Sequence, residues 1–465
     1  MVVTYETDTL PDGWHTERAA VPCIDPVHNV RDAVEAALAR PLSSLPLPML
    51  CSAGSRVTIV CADPAYDRDC PDDILVPALI AELHSAGVND EDITLLSANG
   101  TRRPSTDLEK QLKLGRQVVE RYSVVDHHAR DVSEMDDLGS FDGVSVQVNY
   151  HAVEADLLIA TGVVRPHLYA GYTGGGQAVA IGCSGAATVH DLHSARYLDD
   201  PSVGAGSVRD NAHQRAVREI AHRAGLQFVV NAVVNPDGQV VAVAAGAPNA
   251  VHDRLIEYAR EVYEVPVSRE SYHVLVAGSL HHSSRDLYRA SRDVAYTIKQ
   301  RDPVLARGGV VLLPVGAGGQ TRRDVERQRF DEALAGADSM DDVLRLLRER
   351  GIRPGQHSAY TLAQSVVERD CRIIVVGPDR PQSAGRSGLI SARDVAEAAE
   401  LAEAFVGSRP HALILPRGRW LMPTYKGGAW GGDRAAAGFS ESEPGWLDDI
   451  VVESVFPGRG KPAEN

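Results

Sequence analysis

Four polar stretches of this 465-residue chain each follow an apolar, β-rich run, and they hold most of the side chains able to do chemistry. They are ADPAYDRDCP from Ala62, ANGTRRPS from Ala98, VVRPHLYAGYTGGGQ from Val163 and SLHHSSRDLYRASR from Ser279. In parallel α/β sheets the loops leaving the C-terminal strand ends form the ligand crevice, so these loops are the expected site. Arg68, the pair Arg102-Arg103, and Arg289 with Arg292 fall in three of them. A guanidinium forms a two-pronged pair with carboxylate or phosphate, so arginines facing one cleft would suit an anionic ligand; Arg102 and Arg103 could equally cover a helix end. His167 has a ring suited to proton transfer near neutrality, against the plainer alternative of a hydrogen-bonded structural histidine. Gly174, Gly175 and Gly176 read as a phosphate cradle or as a flexible turn. His127-His128 is expected as a pair of exposed loop histidines, whereas His281-His282 sits on a strand-end loop that could face the cleft.

These loops need a scaffold, and the rest of the chain supplies its pattern. From Arg56 onward short β-rich runs alternate with amphipathic segments, the signature of βαβ units with helices on the faces of a parallel sheet. RVTIVCAD is the first clear strand. DDILVPALIAELHSAG follows as a helix ending at Gly87, then the strand DITLLSANG, the helix STDLEKQLKLG opened by a Ser/Thr/Asp cluster at Ser105, and the strand RYSVVDHHA. LQFVVNAVVN and QVVAVAAG form a hairpin-like pair around PDG. The pattern restarts at YHVLVAGSL, which sets the expected domain boundary: residues 1–267 form an N-terminal α/β domain and 268–465 a C-terminal one. The fold class is α/β, each domain a mostly parallel sheet flanked by helices.

Composition excludes several classes. Hydrophobic residues make up 44% and charged residues 24%, as in ordinary globular proteins, and the length calls for more than one core. A formal net charge of -16, from 63 acidic against 47 basic side chains, would repel a polyanion, so nucleic acid is not an expected partner. No apolar run is long enough for a membrane span and the first residues lack a signal-peptide pattern, which points to the cytoplasm. The six cysteines are scattered without a CxxC pair and read as mostly reduced core thiols.

The stretch VEADLLIATGVVRPHLYAGYTGGGQAVAIGCSGAATVHDLHS resembles the signature of the nickel-dependent, nickel-pincer nucleotide lactate racemase family. That signature is an apolar strand, a PH pair, an aromatic-Ala-Gly-aromatic run, a GG-R-K segment and a helix bearing histidine. Pro166-His167, Tyr169 to Tyr172, Gly174-Gly175 and His193 match it without a gap. The resemblance extends from about Val57 to about Pro423, and it implies two α/β domains with the active site in the cleft between them. It further implies that His193 is the protein ligand of nickel, a metal that imidazole suits. His167 would be an acid/base histidine, Arg68 would bind the substrate carboxylate, and Asp63, Gly174, Gly175, Gly176 and Gln177 would line the cofactor. DLYRASRDVA is similar to the family's tyrosine-bearing helix, which makes Tyr288, Arg289 and Arg292 substrate-binding candidates.

Two departures stand out. Gln177 occupies the place of the lysine that tethers the cofactor, so the nucleotide would be bound without a covalent link. Arg102 replaces the second acid/base histidine, and arginine stays protonated, so it would hold an anionic group instead. The expectation is a racemase or epimerase of a hydroxy acid other than lactate, acting on a small anionic substrate. The alternative is a non-racemising relative that binds an anionic metabolite or nucleotide. A zinc hydrolase built on His167 and His193 ranks behind both.

Overall fold

The computed structural model describes residues 10–277, 286–315, 325–377, 387–416 and 420–425. Two six-stranded sheets organise them. In chain order their strands are β1 (His15–Arg18), β2 (Val57–Cys61), β3 (Ile93–Ser97), β4 (Ser123–Asp126), β5 (Leu157–Val163), β6 (Leu226–Val234), β7 (Val240–Gly246), β8 (Tyr272–Ala277), β9 (Leu305–Pro314), β10 (Arg372–Val376), β11 (Ile390–Ala392) and β12 (His411–Leu415). The first sheet has the order β7-β6-β5-β2-β3-β4 and the second β1-β12-β8-β9-β10-β11. All pairs are parallel except β6 with β7. Every residue of β2 and β5 is buried, as strands covered on both faces require. The β6-β7 hairpin turns where PDG predicts: Asn235 Oδ1 accepts from Asp237 and Gln239, and Gly238 takes φ +82.

Helices form where the apolar stripes and caps place them. Those that matter for the site are α1 (Asp72–Ser85), α2 (Asp107–Leu114), α3 (Ala186–Leu192), α4 (Ala212–Arg223), α5 (Leu287–Ile298) and α6 (Gln356–Arg369). Gly87 follows α1 in the left-handed region at φ +87, the expected helix stop. The start of α2 lies one residue beyond expectation: Thr106, not Ser105, caps it, in a reciprocal box with Glu109. Ser105 accepts instead from the Asn99 amide at 3.0 Å.

Of the strands in these two sheets, β1 and the three-residue β11 escaped the sequence pattern. β1, four residues with no alternation of burial, precedes Arg56 and pairs with β12 in the second sheet. The chain therefore opens in the second sheet, builds the first, and returns. Val267 ends a short strand, Glu264–Val267, that pairs in parallel with Met422–Tyr425, and residue 268 opens the connection into β8. The largest buried apolar cluster runs through both halves, from Val60 and Leu158 to Leu275 and Leu313. No helix among the described residues is long and apolar enough to cross a membrane.

Candidate active site

Because β2, β3, β4 and β5 are parallel neighbours, the loops that leave them open at one edge of the first sheet. Asp63 and Arg68 follow β2, Arg102 follows β3, His127 follows β4 and His167 follows β5. The last loop folds back as a two-residue antiparallel ladder of Pro166–His167 on Gly171–Tyr172. Gly171 makes that return possible, since it takes φ +77 and a Cβ there would meet Ser207 O at 1.9 Å.

The hydrogen bonds of His167 decide its tautomer. Its Nδ1 accepts the backbone N–H of Tyr169 at 3.3 Å and of Ala170 at 3.1 Å, so the neutral ring carries its proton on Nε2. That Nε2 lies 3.5 Å from the carboxamide of Gln177, whose Oε1 is buried and unpartnered. Turning the amide over would bring Oε1 onto the Nε2–H and satisfy both groups. Burial first, then the positive charge of neighbouring His193, Arg292 and Arg165, pushes His167 down to about 3. The ring is thus a neutral hydrogen-bond donor; to take a proton at Nε2 it would first have to release Tyr169 and Ala170.

His193 is arranged the other way round. It is the residue that ends α3, at φ -107, and its Nδ1–H donates to Val189 O at 2.8 Å. The proton is then on Nδ1 and the Nε2 lone pair is free, the arrangement a backbone-oriented metal-ligating histidine shows. Burial keeps this ring neutral as well.

Tyr169 gathers the other rings. It stands 5.5 Å from His193, 6.1 Å from His213 and 6.3 Å from His357, centroid to centroid. Its hydroxyl bonds Thr361 on α6 at 3.1 Å, which joins the first half of the chain to the second. Sequence reasoning had singled out neither His213 nor His357. His213 had a signal: it precedes Ala216, Val217 and Ile220 on the buried stripe of α4. His357 had none, because only the packing of α6 brings it to the site.

The arginines divide. Arg292, on α5, is packed among Tyr288, Tyr296 and Tyr169 with Glu326 nearby; among the described residues its guanidinium has no hydrogen bond or ion pair, and it bears on His167 and His357. Arg102 lies over the Tyr66 ring at 4.5 Å and reaches Asp63 Oδ2 at 3.4 Å, close enough to act on His193 and His357. Burial raises the Asp63 carboxyl and Arg102 works against it. Arg289 is committed to Asp286 at 3.0 Å, and Tyr288 donates to Glu326 at 2.9 Å. Arg103 pairs with Glu109 at the start of α2, the helix-end alternative.

Arg68 is exposed, and among the described residues it has no partner. Its loop, in contrast, is held on both sides. Arg165 pairs with Asp67 at 3.2 Å and Asp69 at 3.1 Å while its guanidinium lies over Trp420 at 4.6 Å. Lys113 donates to Asp67 O and, at 2.6 Å, to Cys70 O.

The glycine run is a closed turn. Cβ atoms at Gly174 and Gly176 would meet Val164 Cγ2 at 2.6 Å and Ala221 Cβ at 2.4 Å, and the Gly175 N–H is taken by Asn231 at 2.8 Å. Packing accounts for these glycines, and Gly175 has no N–H to offer a phosphate. The expectation of two exposed histidines at 127 and 128 is corrected for the first: His127 is fully buried, hydrogen-bonded to Ser184 O at 3.0 Å and held near pKa 4 by burial, while exposed His128 pairs with Glu134. It caps a strand end inside the core, where a ring donor is needed for a backbone carbonyl. His281 and His282 lie outside the described residues. No group of three or more His, Cys, Asp or Glu among the described residues is arranged to hold a metal ion, so a zinc site made of side chains alone has no support.

The model of the lactate racemase N-terminal domain matches residues 5–206. Lactate racemases of Thermoanaerobacterium thermosaccharolyticum and Lactiplantibacillus plantarum are 24% and 26% identical, over 389 and 393 residues, each alignment spanning 83% of this chain and 89% of the relative. The chain is thus similar to lactate racemases over most of its length, and its residues 5–206 resemble their N-terminal domain. The fold agrees: the lactate racemase apoprotein of T. thermosaccharolyticum superposes with a TM-score of 0.76 at 24% identity, covering 89% of this chain and 96% of that one. A Thermotoga maritima protein superposes with a TM-score of 0.64 at 16% identity, covering 87% and 100%. Asp63, Arg68, Arg102, His167, Gln177 and His193 fall inside the stretch matched by the N-terminal domain model. His213, Arg292 and His357 lie beyond it.

Proposed function

We propose that this protein is a racemase or epimerase of a hydroxy acid more anionic than lactate, with nickel held by His193. The observation that supports it best is the His193 ring itself, whose Nδ1–H is tied to Val189 O so that Nε2 faces the Tyr169 cluster as a lone pair. A nickel-pincer nucleotide bound there would supply a reversible hydride acceptor for the hydroxyl-bearing carbon. Gln177 does not fit the covalent tether, since a carboxamide has no nucleophilic amine, so the nucleotide would be held without one.

The chain's own residues do the rest. Arg292, unneutralised among the described residues and walled by three tyrosines, would take the substrate carboxylate in a partly desolvated setting where a charged pair is strong. His167 would donate its Nε2–H to a substrate oxygen. Arg102 and Arg68 would hold a second anionic group, with Asp63 steering Arg102. A second reading, a relative that binds an anionic metabolite or nucleotide without racemising it, draws support from Gln177 and from the closed turn at Gly175.

Purified protein separates the two. Elemental analysis for nickel, mass spectrometry of the denatured chain and of released nucleotide, and a chiral assay across mono- and dicarboxylate hydroxy acids are the measurements. Nickel with a dissociable nucleotide, an unmodified Gln177 peptide and racemisation of a dicarboxylate are expected. Robust racemisation of lactate would overturn the substrate assignment. Dicarboxylate binding with neither nickel nor racemisation would establish the second reading.

A further inference from the structure

We propose that His357 is a substrate-binding residue of this site, donating its Nε2–H to an oxygen of the bound hydroxy acid from the second half of the chain. The inference rests on the hydroxy-acid reading above and adds a residue which that reading does not use.

The argument begins with the backbone. Gly355 opens α6 at φ +92, and a Cβ there would meet Glu326 O at 2.3 Å, so this position requires glycine. Its N–H donates to His357 Nδ1 at 3.2 Å. A neutral ring whose Nδ1 is an acceptor carries its proton on Nε2, so His357 presents a donor, as His167 does and His193 does not.

The helix aims that donor at the site. His357 and Thr361 lie one turn apart on α6 and both face Tyr169: the Thr361 hydroxyl meets Tyr169 Oη at 3.1 Å, and Thr361 also bonds His357 O at 2.9 Å. The His357 ring is 5.7 Å from His193 and 6.3 Å from Tyr169, centroid to centroid. Four of the site's cationic or imidazole groups bear on it. Burial first, and then His193, Arg292, Arg102 and His167, keep the ring uncharged. A donor among groups that favour an anion, with no partner of its own at Nε2 among the described residues, suits a carboxylate or hydroxyl oxygen. His357 is partly accessible, whereas His213, the other unassigned ring, is fully enclosed and out of a substrate's reach.

Isothermal calorimetry with malate and lactate as probes tests the assignment on wild type, His357→Gln, which keeps an N–H donor, and His357→Phe, which keeps a planar ring without one. His357→Phe should weaken malate binding roughly tenfold or more, the loss expected when a buried polar contact forfeits one partner. His357→Gln should stay within about threefold, and nickel content and circular dichroism should not change in either. In nickel-loaded protein the Phe variant should raise KM more than it lowers kcat. Should His357→Phe fail to fold, His357→Ala makes the same comparison with Gln. Unchanged malate binding in His357→Phe, alongside weakened binding in Arg292→Gln, would overturn the role of His357 and leave the hydroxy-acid reading standing. A wild type that binds neither probe, with or without nickel, would overturn both.

Discussion

At the scale of single residues, what separates the two signature histidines is which ring nitrogen the backbone holds. His193 gives its Nδ1–H to Val189 O, and His167 receives two N–H groups at Nδ1. One ring is left with a lone pair and the other with a proton, so they cannot exchange roles without rebuilding the turns around them. His193→Ala should therefore abolish nickel retention while His167→Ala spares it, and both should keep the wild-type circular dichroism spectrum. Equal nickel content in wild type and His193→Ala, by elemental analysis, would defeat the ligand assignment. Gln177 shows how far motif matching reaches: the alignment predicted an untethered site, and the structure adds that its carboxamide is the hydrogen-bonding neighbour of His167.

At the scale of elements, the loop after β2 is rigidified so that one side chain can stay free. Asp67 and Asp69 turn toward Arg165, and Lys113 from α2 grips the carbonyls of Asp67 and Cys70, so the residues flanking Arg68 are all engaged while Arg68 is not. Arg165→Met should weaken dicarboxylate binding by several-fold through Arg68, and should add nothing in an Arg68→Ala background. Calorimetry on the four members of that cycle measures the coupling; fully additive losses would show that Arg165 acts on the fold alone. The same loop rests on a buried ion pair, Lys113 with Asp72 at 3.6 Å, their side chains 5% and 0% exposed. Lys113→Met strands the Asp72 carboxylate and should cost about 3 kcal/mol or more in urea unfolding. Lys113→Met combined with Asp72→Leu should recover part of that loss.

At the scale of the whole molecule, histidine burial makes stability depend on pH. His127 and His252 are held near pKa 4 and His167 near 3, chiefly by burial, against an unfolded value of about 6.5. A ring whose folded pKa is depressed stabilises the fold while it stays neutral. The unfolded chain binds protons first as pH falls through about 6.5, so stability declines from there toward the folded values, by about 1.4 kcal/mol per pH unit for each ring. Urea midpoints should change little from pH 7.5 to about 6.5 and then fall steadily toward pH 5, and His127→Gln should flatten that slope. A midpoint independent of pH over that range would contradict the neutral, enclosed state of these rings.

The amino-acid sequence by itself determined the α/β class, the strands that carry the polar loops, and the identity of the chemistry-bearing residues after β2, β3 and β5. These are local properties: a run of apolar β-formers, a glycine stop or a capping cluster acts within a few residues and leaves its mark in the periodicity. It did not disclose β1, because a four-residue edge strand has no room for a pattern and its partner β12 lies nearly four hundred residues later. Nor did it disclose that His127 is buried, since a strand-end histidine looks the same whether or not a carbonyl such as Ser184 O waits beside it. Tertiary structure alone decided that Arg292 stands free of hydrogen bonds and ion pairs among the described residues while Arg289 and Arg103 are neutralised, and that His357 joins His193 and Tyr169. Partner choice between distant segments is set by sheet order and by how helices pack across the two halves. Those long-range contacts determine which of several chemically equivalent side chains faces the site.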